Sequence, residues 1–328
     1  MEETPKKKGW RWGFNRWLVL LFMIGSGVAA SFYTPVRPHV QLPAENVSHH
    51  PLFHLPVIGD FYLTNTIIAV LIADILLIWM AFSFYKATKG GESLIPKGFS
   101  GAVEAFLEVL YNLTEGTAGK WTRYIFPWFA TITLLVLVIN WTELIPGVDS
   151  IGIIHPAEDH GYAIKDLGWA TTLINEEVDH GGYGLIPFVR VTSTDLNFTL
   201  ALALIAVVMV QVIGIKAQGG AYFKKFWFTE TMFTKPMLGV IDFGVGILEL
   251  ISEFSKILSF AFRLFGNIFA GSVLLFVIGS LVPIFAQSMF LMLEFFVGMI
   301  QAVVFGLLTM TFMAQATQGH GDHDEAHA

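Results

Sequence analysis

Six apolar blocks, five of them long enough to cross a membrane, constrain this 328-residue chain more than any other feature. A helix rises about 1.5 Å per residue, so about 20 apolar residues span a hydrocarbon core of about 30 Å. The chain is 54% hydrophobic and only 14% charged. It is therefore predicted to be an all-α polytopic membrane protein with five core spans, at 61–85, 124–146, 195–215, about 237–279 and 284–316.

The N-terminal block is shorter and follows a basic leader, KKKGWRWGFNR. Residues 17–30 end in VAA, and about 14 apolar residues suit the central part of a signal peptide. An uncleaved membrane anchor fits the same sequence, so both interpretations stay open. The predicted organisation is then a signal peptide or anchor at 1–30, an outer segment at 31–60 and a membrane domain at 61–328.

The charges of the loops predict how the chain is oriented. Basic residues follow the blocks at 61–85 and 195–215. This predicts that those loops lie on the cytoplasmic side of a bacterial inner membrane. The loop at 147–194 has seven acidic residues against two basic ones and is expected outside as a polar loop. Residues 98–120 have apolar residues at helical spacing, which predicts an amphipathic helix at the inner surface. The tail at 317–328 is then cytoplasmic.

Composition excludes several kinds of site. The chain has no cysteine, and all ten histidines lie outside the apolar blocks. Disulfides and thiolate metal sites are therefore excluded, and an intramembrane haem or copper site is not expected. The sequence has no phosphate-binding loop or nucleophile arrangement, so we predict no catalytic site, cofactor, metal or nucleic acid. The His-rich end of the tail is expected to be solvated.

Arg263 lies in the middle of an apolar run, with no basic residue after it. An arginine at mid-bilayer costs about 2.5–3.5 kcal/mol on insertion scales, so such residues usually have a function. Its charge is permanent, because the guanidinium does not lose its proton in proteins. We therefore interpret Arg263 as a functional residue.

The two last blocks each present a polar stripe. At 3.6 residues per turn, the polar residues of the first of these two blocks fall within about 40° of one line along the helix. If the hairpin turns at residue 282, Arg263 and Gln301 are both 19 residues from the turn and lie at one depth. The same register brings Glu294 level with Ala270, beside Gly271 and Ser272. The stripes are Glu249, Glu253, Lys256, Arg263 and Asn267 on the first helix, and Gln287, Glu294, Gln301 and Gln315 on the second.

Two interpretations of these stripes stay open. Polar residues such as Glu294 and Gln301 often join membrane helices by hydrogen bonds. Carboxylates on both sides of a fixed cation, in line across the membrane, are instead typical of two proton paths separated by a barrier. The second interpretation requires Glu249 and Glu253 to lie inward of Arg263 and Glu294 outward, as their positions in sequence predict.

The run ELISEFSKILSFAFRLFGNIFAG at 249–271, followed by Gln301, resembles the signature of subunit a of the rotary F-type ATP synthase. NWTELIPG at 140–147 and TDLNFT at 194–199 are further similarities. The resemblance implies a non-catalytic, proton-translocating stator subunit that offers two offset half-channels to a rotating ring. Implied partners are the c-subunit ring, the peripheral stalk b subunits, the soluble ATPase head and membrane lipid.

The resemblance also implies roles for single residues. Arg263 corresponds to the essential arginine that faces the ring, with Asn267 and Gln301 beside it. Glu249 corresponds to the acidic position of the cytoplasmic half-channel, near Glu253. The outer half-channel corresponds to Ser272, Glu294, Asp195 and Asn197.

This sequence departs from the family at 272 and 294, which other members often fill with an acid and a histidine. With Ser272 and Glu294 here, Glu294 alone must titrate in that region. Asp195 also suits a helix N-cap. Asp74, within a span, and Glu143 have no assigned role. A self-contained cation/proton transporter and a purely structural anchor are the alternatives, although no internal duplication of the transporter kind is visible.

Overall fold

The computed structural model describes most of the chain. The described residues are 17–28 without 23 and 26, 44–56 without 49, 59–89, 98–142, 144–145, 147–156, 161–168, 171–178, 181–225, 236–281 and 285–318. Those between 17 and 28 are helical, which is compatible with a signal peptide and with an anchor. The basic leader, Glu143 and the tail beyond residue 318 lie outside the described residues.

Six long helices in the described part of the chain form the membrane domain, and they confirm the predicted all-α polytopic fold. Five stretches of the described residues are long and apolar enough to cross a membrane, and α2 and α3 together make one of them, at 99–142. Each predicted block coincides with a helix to within a few residues. The helices are α1 (Asn65–Lys89), α2 (Phe99–Ala118), α3 (Thr122–Thr142), α4 (Leu196–Gln218), α5 (Pro236–Leu281) and α6 (Phe285–Thr317).

Helix α2 is the amphipathic helix that the sequence predicts at 98–120. It buries residues four apart, Leu110, Thr114 and Ala118, while Glu108 and Glu115 are exposed. This spacing gives one buried face and one polar face. Its position at the inner membrane surface stays a prediction.

The main core belongs to the larger of two compact units, which comprises Gln41–Ile153, Ile186–Ala270 and Phe295–Ala328. Within it α3, α4, α5 and α6 bury one apolar cluster that includes Val136, Ala206, Leu264 and Phe305. Small residues such as Ala206, which is fully buried, let the helix backbones approach closely. Many Leu, Ile and Phe side chains on the opposite faces remain exposed, as a lipid surrounding permits.

A glycine sets the distance between α3 and α6. A β-carbon on Gly306 would lie 2.0 Å from Thr133 Oγ1 and 2.9 Å from the ring of Phe129. Thr133 is fully buried, and its hydroxyl donates to the Phe129 carbonyl at 2.8 Å. Because neither neighbour has room to retreat, the crossing requires glycine.

The C-terminal ends of α4 and α6 are fastened by side chains of the larger unit. Gln218 Nε2 donates to the carbonyl oxygens of Ala316 at 2.9 Å and Gln318 at 2.8 Å. The last carbonyls of a helix have no partner within it, so this amide stabilises the end of α6. Nearby, the Tyr222 hydroxyl donates to Gln211 Oε1 at 2.6 Å.

Two segments that the sequence analysis expected outside the membrane contain strands that it did not predict. β1 (Phe53–Leu55) and β2 (Gly59–Phe61) form an antiparallel pair at the end of the segment 31–60 and the first residue after it. The loop at 147–194, expected as a polar loop, contains a four-stranded sheet in the order β3-β6-β4-β5. Its strands are β3 (Gly152–Pro156), β4 (Gly161–Asp166), β5 (Thr171–Val178) and β6 (Tyr183–Pro187).

The strands are three to eight residues long, and β4 and β5 contain charged residues, so no long apolar run reveals them. Gly168 and Gly181 have φ of 83°, a conformation that favours glycine at turns. At Gly161 a β-carbon would lie 2.4 Å from the Gly182 Cα, so these two glycines also let neighbouring strands meet. The glycines at the turns were therefore the sequence feature that could have indicated these strands.

Gly306→Ala is expected to lower the free energy of unfolding by about 1–3 kcal/mol, the usual cost of overpacking. The measurement is thermal unfolding of the purified chain in detergent. Gly116→Ala in α2 is the matched control, because no atom lies within 4 Å of a β-carbon there. Equal stability of the two variants would contradict the close crossing of α3 and α6.

Candidate functional site

Arg263 lies on a face of α5 that the described chain leaves uncovered. The residue is exposed, and its Nη2 donates to Ser259 Oγ at 3.4 Å, one helical turn earlier. Phe262 is 54% exposed beside it, whereas Phe260 and Leu264 are buried. The apolar spacing of α5 therefore buries one side of the helix and presents the guanidinium on the other.

Asn267 lies near Arg263 on the same helix, and Gln301 lies at the same level on α6. Asn267 is exposed one turn after Arg263 on the same helix, and Gln301 on α6 is half-buried. The ring of Phe260 on α5 packs 5.3 Å from the ring of Phe305 on α6, centroid to centroid. Phe260 and Phe305 are 22 and 23 positions from residue 282, so their contact fixes the register of the hairpin to within about one residue. In that register Gln301 is level with Arg263, as the sequence analysis expects. In the described part of the chain no hydrogen bond joins the two side chains.

The inward carboxylates of the α5 stripe differ in their surroundings. Glu253 is 7% exposed, and its Oε1 lies 3.0 Å from Nζ of Lys256. The same Nζ lies 4.9 Å from the centroid of the Phe312 ring on α6. Glu249, one turn earlier, is half-buried. Glu253 thus forms a shielded ion pair with Lys256, whereas the Glu249 side chain remains partly exposed.

The carboxyl group of Glu294 fills the space beside Gly271. Glu294 is 8% exposed, and a β-carbon on Gly271 would lie 1.3 Å from its Oε1. Ser272, the next residue of α5, is also 8% exposed. Glu294 therefore lies beside Gly271 at the depth that the hairpin register predicts, and its carboxyl group replaces the missing side chain.

Asp195 caps α4. Its Oδ1 accepts from the Asn197 backbone N–H at 2.9 Å, and its Oδ2 accepts from Thr66 Oγ1 of α1 at 3.3 Å. Asp195 is 6% exposed, whereas Asn197 is exposed. The capping interpretation is therefore correct for Asp195. A proton role would have to coexist with these two bonds.

The sequence analysis did not single out a buried polar network at the C-terminal end of α3. Asn140 Oδ1 accepts from Ser193 Oγ at 2.6 Å, and Asn140 Nδ2 donates to the Gly298 carbonyl at 3.1 Å. Trp141 Nε1 donates to the Phe295 carbonyl at 3.3 Å, and the two rings stack. These bonds join α3 to α6 and to the turn before α4. An asparagine inside an apolar block was the signal for them.

Comparison with known proteins gives a consistent result. Residues 64–314 match the sequence profile of the family described as ATP synthase A chain. The chain is 26% identical to ATP synthase subunit a of Moorella thermoacetica over 82% of its length and 96% of that protein. It is 28% identical to ATP synthase subunit a of Aeromonas salmonicida, over 84% of this chain and 95% of that protein. It is 30% identical to ATP synthase subunit a of Campylobacter jejuni, over 69% of this chain and 81% of that protein.

A double-mutant cycle tests the Asn140 network. Asn140→Ala and Ser193→Ala should each lower the free energy of unfolding, and the double variant should lose less than the sum of the two. We expect a coupling of about 1 kcal/mol, the usual net value of a hydrogen bond. Thermal unfolding in detergent measures it. Effects that add to within about 0.3 kcal/mol would contradict a direct bond.

Proposed function

Because the chain belongs to the ATP synthase A chain family, we propose that it is the stator subunit that offers two offset proton half-channels to a rotating c ring. Membership of this family places it in the membrane sector of an F-type ATP synthase, with a part in ATP synthesis and proton transport. The observation that carries the finer proposal is the exposure of Arg263 at mid-helix on an uncovered face of α5.

Arg263 separates the half-channels through its permanent positive charge. In a low-dielectric surrounding that charge attracts a deprotonated carboxylate of the ring and repels a proton moving directly across. Its one described bond, to Ser259, is long and leaves most of the guanidinium donors available for such a carboxylate. Asn267 and Gln301 supply neutral polar groups beside it.

The outer half-channel leads past Asp195, Asn197, Ser272 and Glu294. Glu294 is its main proton carrier, since neither 272 nor 294 is a histidine. Its position against Gly271 brings the carboxyl group close to the backbone of α5, the helix that presents Arg263. Asp195 holds the start of α4 and contributes negative charge at the entrance.

The inner half-channel leads past Glu249 and Glu253. Glu249 exchanges protons with the cytoplasm, and the Glu253–Lys256 pair supplies fixed polarity without net charge. A proton that enters from outside thus travels around with the ring before it leaves. The membrane potential contributes about 2.3 kcal/mol per proton per 100 mV.

This role requires partners. The c-subunit ring covers the Arg263 face, the peripheral stalk b subunits hold the chain against rotation, and the soluble ATPase head makes ATP. The chain itself is a non-catalytic subunit. It spans a bacterial cell membrane several times, with its C-terminus in the cytoplasm. Family membership supports this role over the self-contained transporter and the structural anchor.

Arg263→Ala should abolish coupled ATP synthesis, with a loss of more than about tenfold, or about 1.4 kcal/mol in barrier terms. It should also raise passive proton leak in vesicles stripped of the ATPase head, because the barrier between the half-channels is gone. Arg263→Lys should also lose synthesis but leak less, because a cation remains.

Both activities are measured side by side at matched assembly. Ser259→Ala is the control, because it removes the hydroxyl that accepts from Arg263 and keeps the charge. It should change both activities far less. Retained coupled ATP synthesis in Arg263→Ala would contradict the proposed mechanism.

Glu294→Gln should strongly impair ATP-driven proton pumping and remove an acidic group from its pH profile. Gly271→Ala should impair pumping as well, because the β-carbon displaces the Glu294 carboxyl group. Gly244→Ala on the same helix is the control, since a β-carbon there has no atom within 4 Å. Normal pumping by Glu294→Gln at all pH values would show that another group carries the outer protons.

A further inference from the structure

Asp74 is an acidic side chain in the middle of a membrane span that the proposed proton path does not use. It lies nine residues after the start of α1, about 14 Å along a helix of 25 residues. It is half-buried. Acidic residues at this depth are rare, and they usually pair with a cation or line a functional path.

The described chain supplies no partner for Asp74. No hydrogen bond or ion pair reaches its carboxyl group from any described residue. The two basic residues deepest in the spans are otherwise engaged, Lys256 with Glu253 and Arg263 with Ser259. The N-terminal segment 17–30 contains no lysine or arginine at all. A countercharge for Asp74 therefore lies outside the described part of the chain.

Helix α1 is also the least covered span. Only 11% of its most apolar window is buried inside the chain, against 56% for the stretch formed by α2 and α3. The buried residues of α1 include Ala69 and Ala73, at 2% and 0% exposure, and lie in the first three turns of the helix. Leu71 and Ile78 remain 53% and 68% exposed. Most of the helix surface is thus available to lipid or to another protein.

The residues around Asp74 form a seam suited to a second helix. Their spacing alternates between three and four residues, which keeps them on one side of an α-helix. Ala81 in this seam is small enough to allow close approach, and Tyr85 is 54% exposed at its inner end. The seam consists of Leu71, Asp74, Ile78, Ala81 and Tyr85.

We propose that this seam docks a membrane-spanning helix of another subunit that carries a lysine or arginine level with Asp74. This docking rests on the proposed function in one respect, because it requires a membrane sector with several subunits. A cation fits better than a neutral donor, because it removes the net charge that makes a lone carboxylate costly in hydrocarbon. The seam on α1 is separate from the Arg263 face of α5.

Cysteine cross-linking in the whole purified complex tests the docking. The chain has no native cysteine, so Ile78→Cys introduces its single thiol, which is then labelled with a benzophenone maleimide. Light should link it to another subunit, at a peptide with a lysine or arginine inside an apolar stretch. Leu76→Cys is the control, since Leu76 is also exposed but lies about 160° away around α1. It should give at least about fivefold less of that product.

Substitution of Asp74 tests the charge pair. Asp74→Leu should abolish the Ile78→Cys product and lower recovery of the linked subunit by at least about fivefold, because a buried cation is left unpaired. Asp74→Asn, which keeps hydrogen-bonding ability, should have a smaller effect. Exchange of the charges, Asp74→Lys with the linked basic residue changed to Asp, should restore recovery.

Three results would overturn the inference. They are cross-linking of Ile78→Cys to lipid alone, higher recovery of the complex with Asp74→Leu as expected for a lipid-facing charge, and normal assembly of Asp74→Asn and Asp74→Leu with a defect confined to proton pumping. Failure of the chain to purify with an ATPase head would instead contradict the proposed function. The two failures are therefore distinguishable.

Discussion

A polar group that enters hydrocarbon must find a partner there, because water is not available to replace a missing hydrogen bond. The helices satisfy their own backbones, and the buried threonines follow the same rule. Thr114, Thr133 and Thr309 each donate their hydroxyl to the carbonyl four residues earlier, at 2.8–2.9 Å. Against this background Arg263 and Asp74 are conspicuous, because their charged groups lie on helix faces that the described chain does not cover.

Arg263 is exposed and Asp74 is half-buried, and the two charges have opposite signs and lie on different helices. Arg263 is on α5, the helix of the polar stripe, and Asp74 is on α1, whose apolar surface is mostly free. A permanent cation suits a surface that exchanges one carboxylate for the next. A fixed carboxylate suits a surface that holds one partner in place. Under the proposed function, the chain meets a moving neighbour at α5 and a stationary one at α1.

The sequence was sufficient for the membrane helices and for the register of the hairpin, because apolar length and helical periodicity determine both. The position of Glu294 beside Gly271 followed from that register alone. The outer sheet did not follow, since its strands are short and its order β3-β6-β4-β5 depends on pairing between distant residues. The Asn140–Ser193 bond joins residues 53 positions apart, and no local pattern predicts it. Local spacing did place Lys256 near Glu253, but not the burial that turns the two into a shielded pair.

The contact between Gly271 and Glu294 limits the order in which these positions can change during evolution. Any side chain at 271 meets the carboxyl group of residue 294, so in a lineage with glutamate at 294 alanine at 271 forces that carboxyl group out of its present position. A shorter residue at 294 removes the conflict beforehand. On the reverse path, glycine at 271 leaves the space that a long acid at 294 then occupies. The acid and the glycine are therefore expected to be inherited together, as one functional unit distributed over two helices.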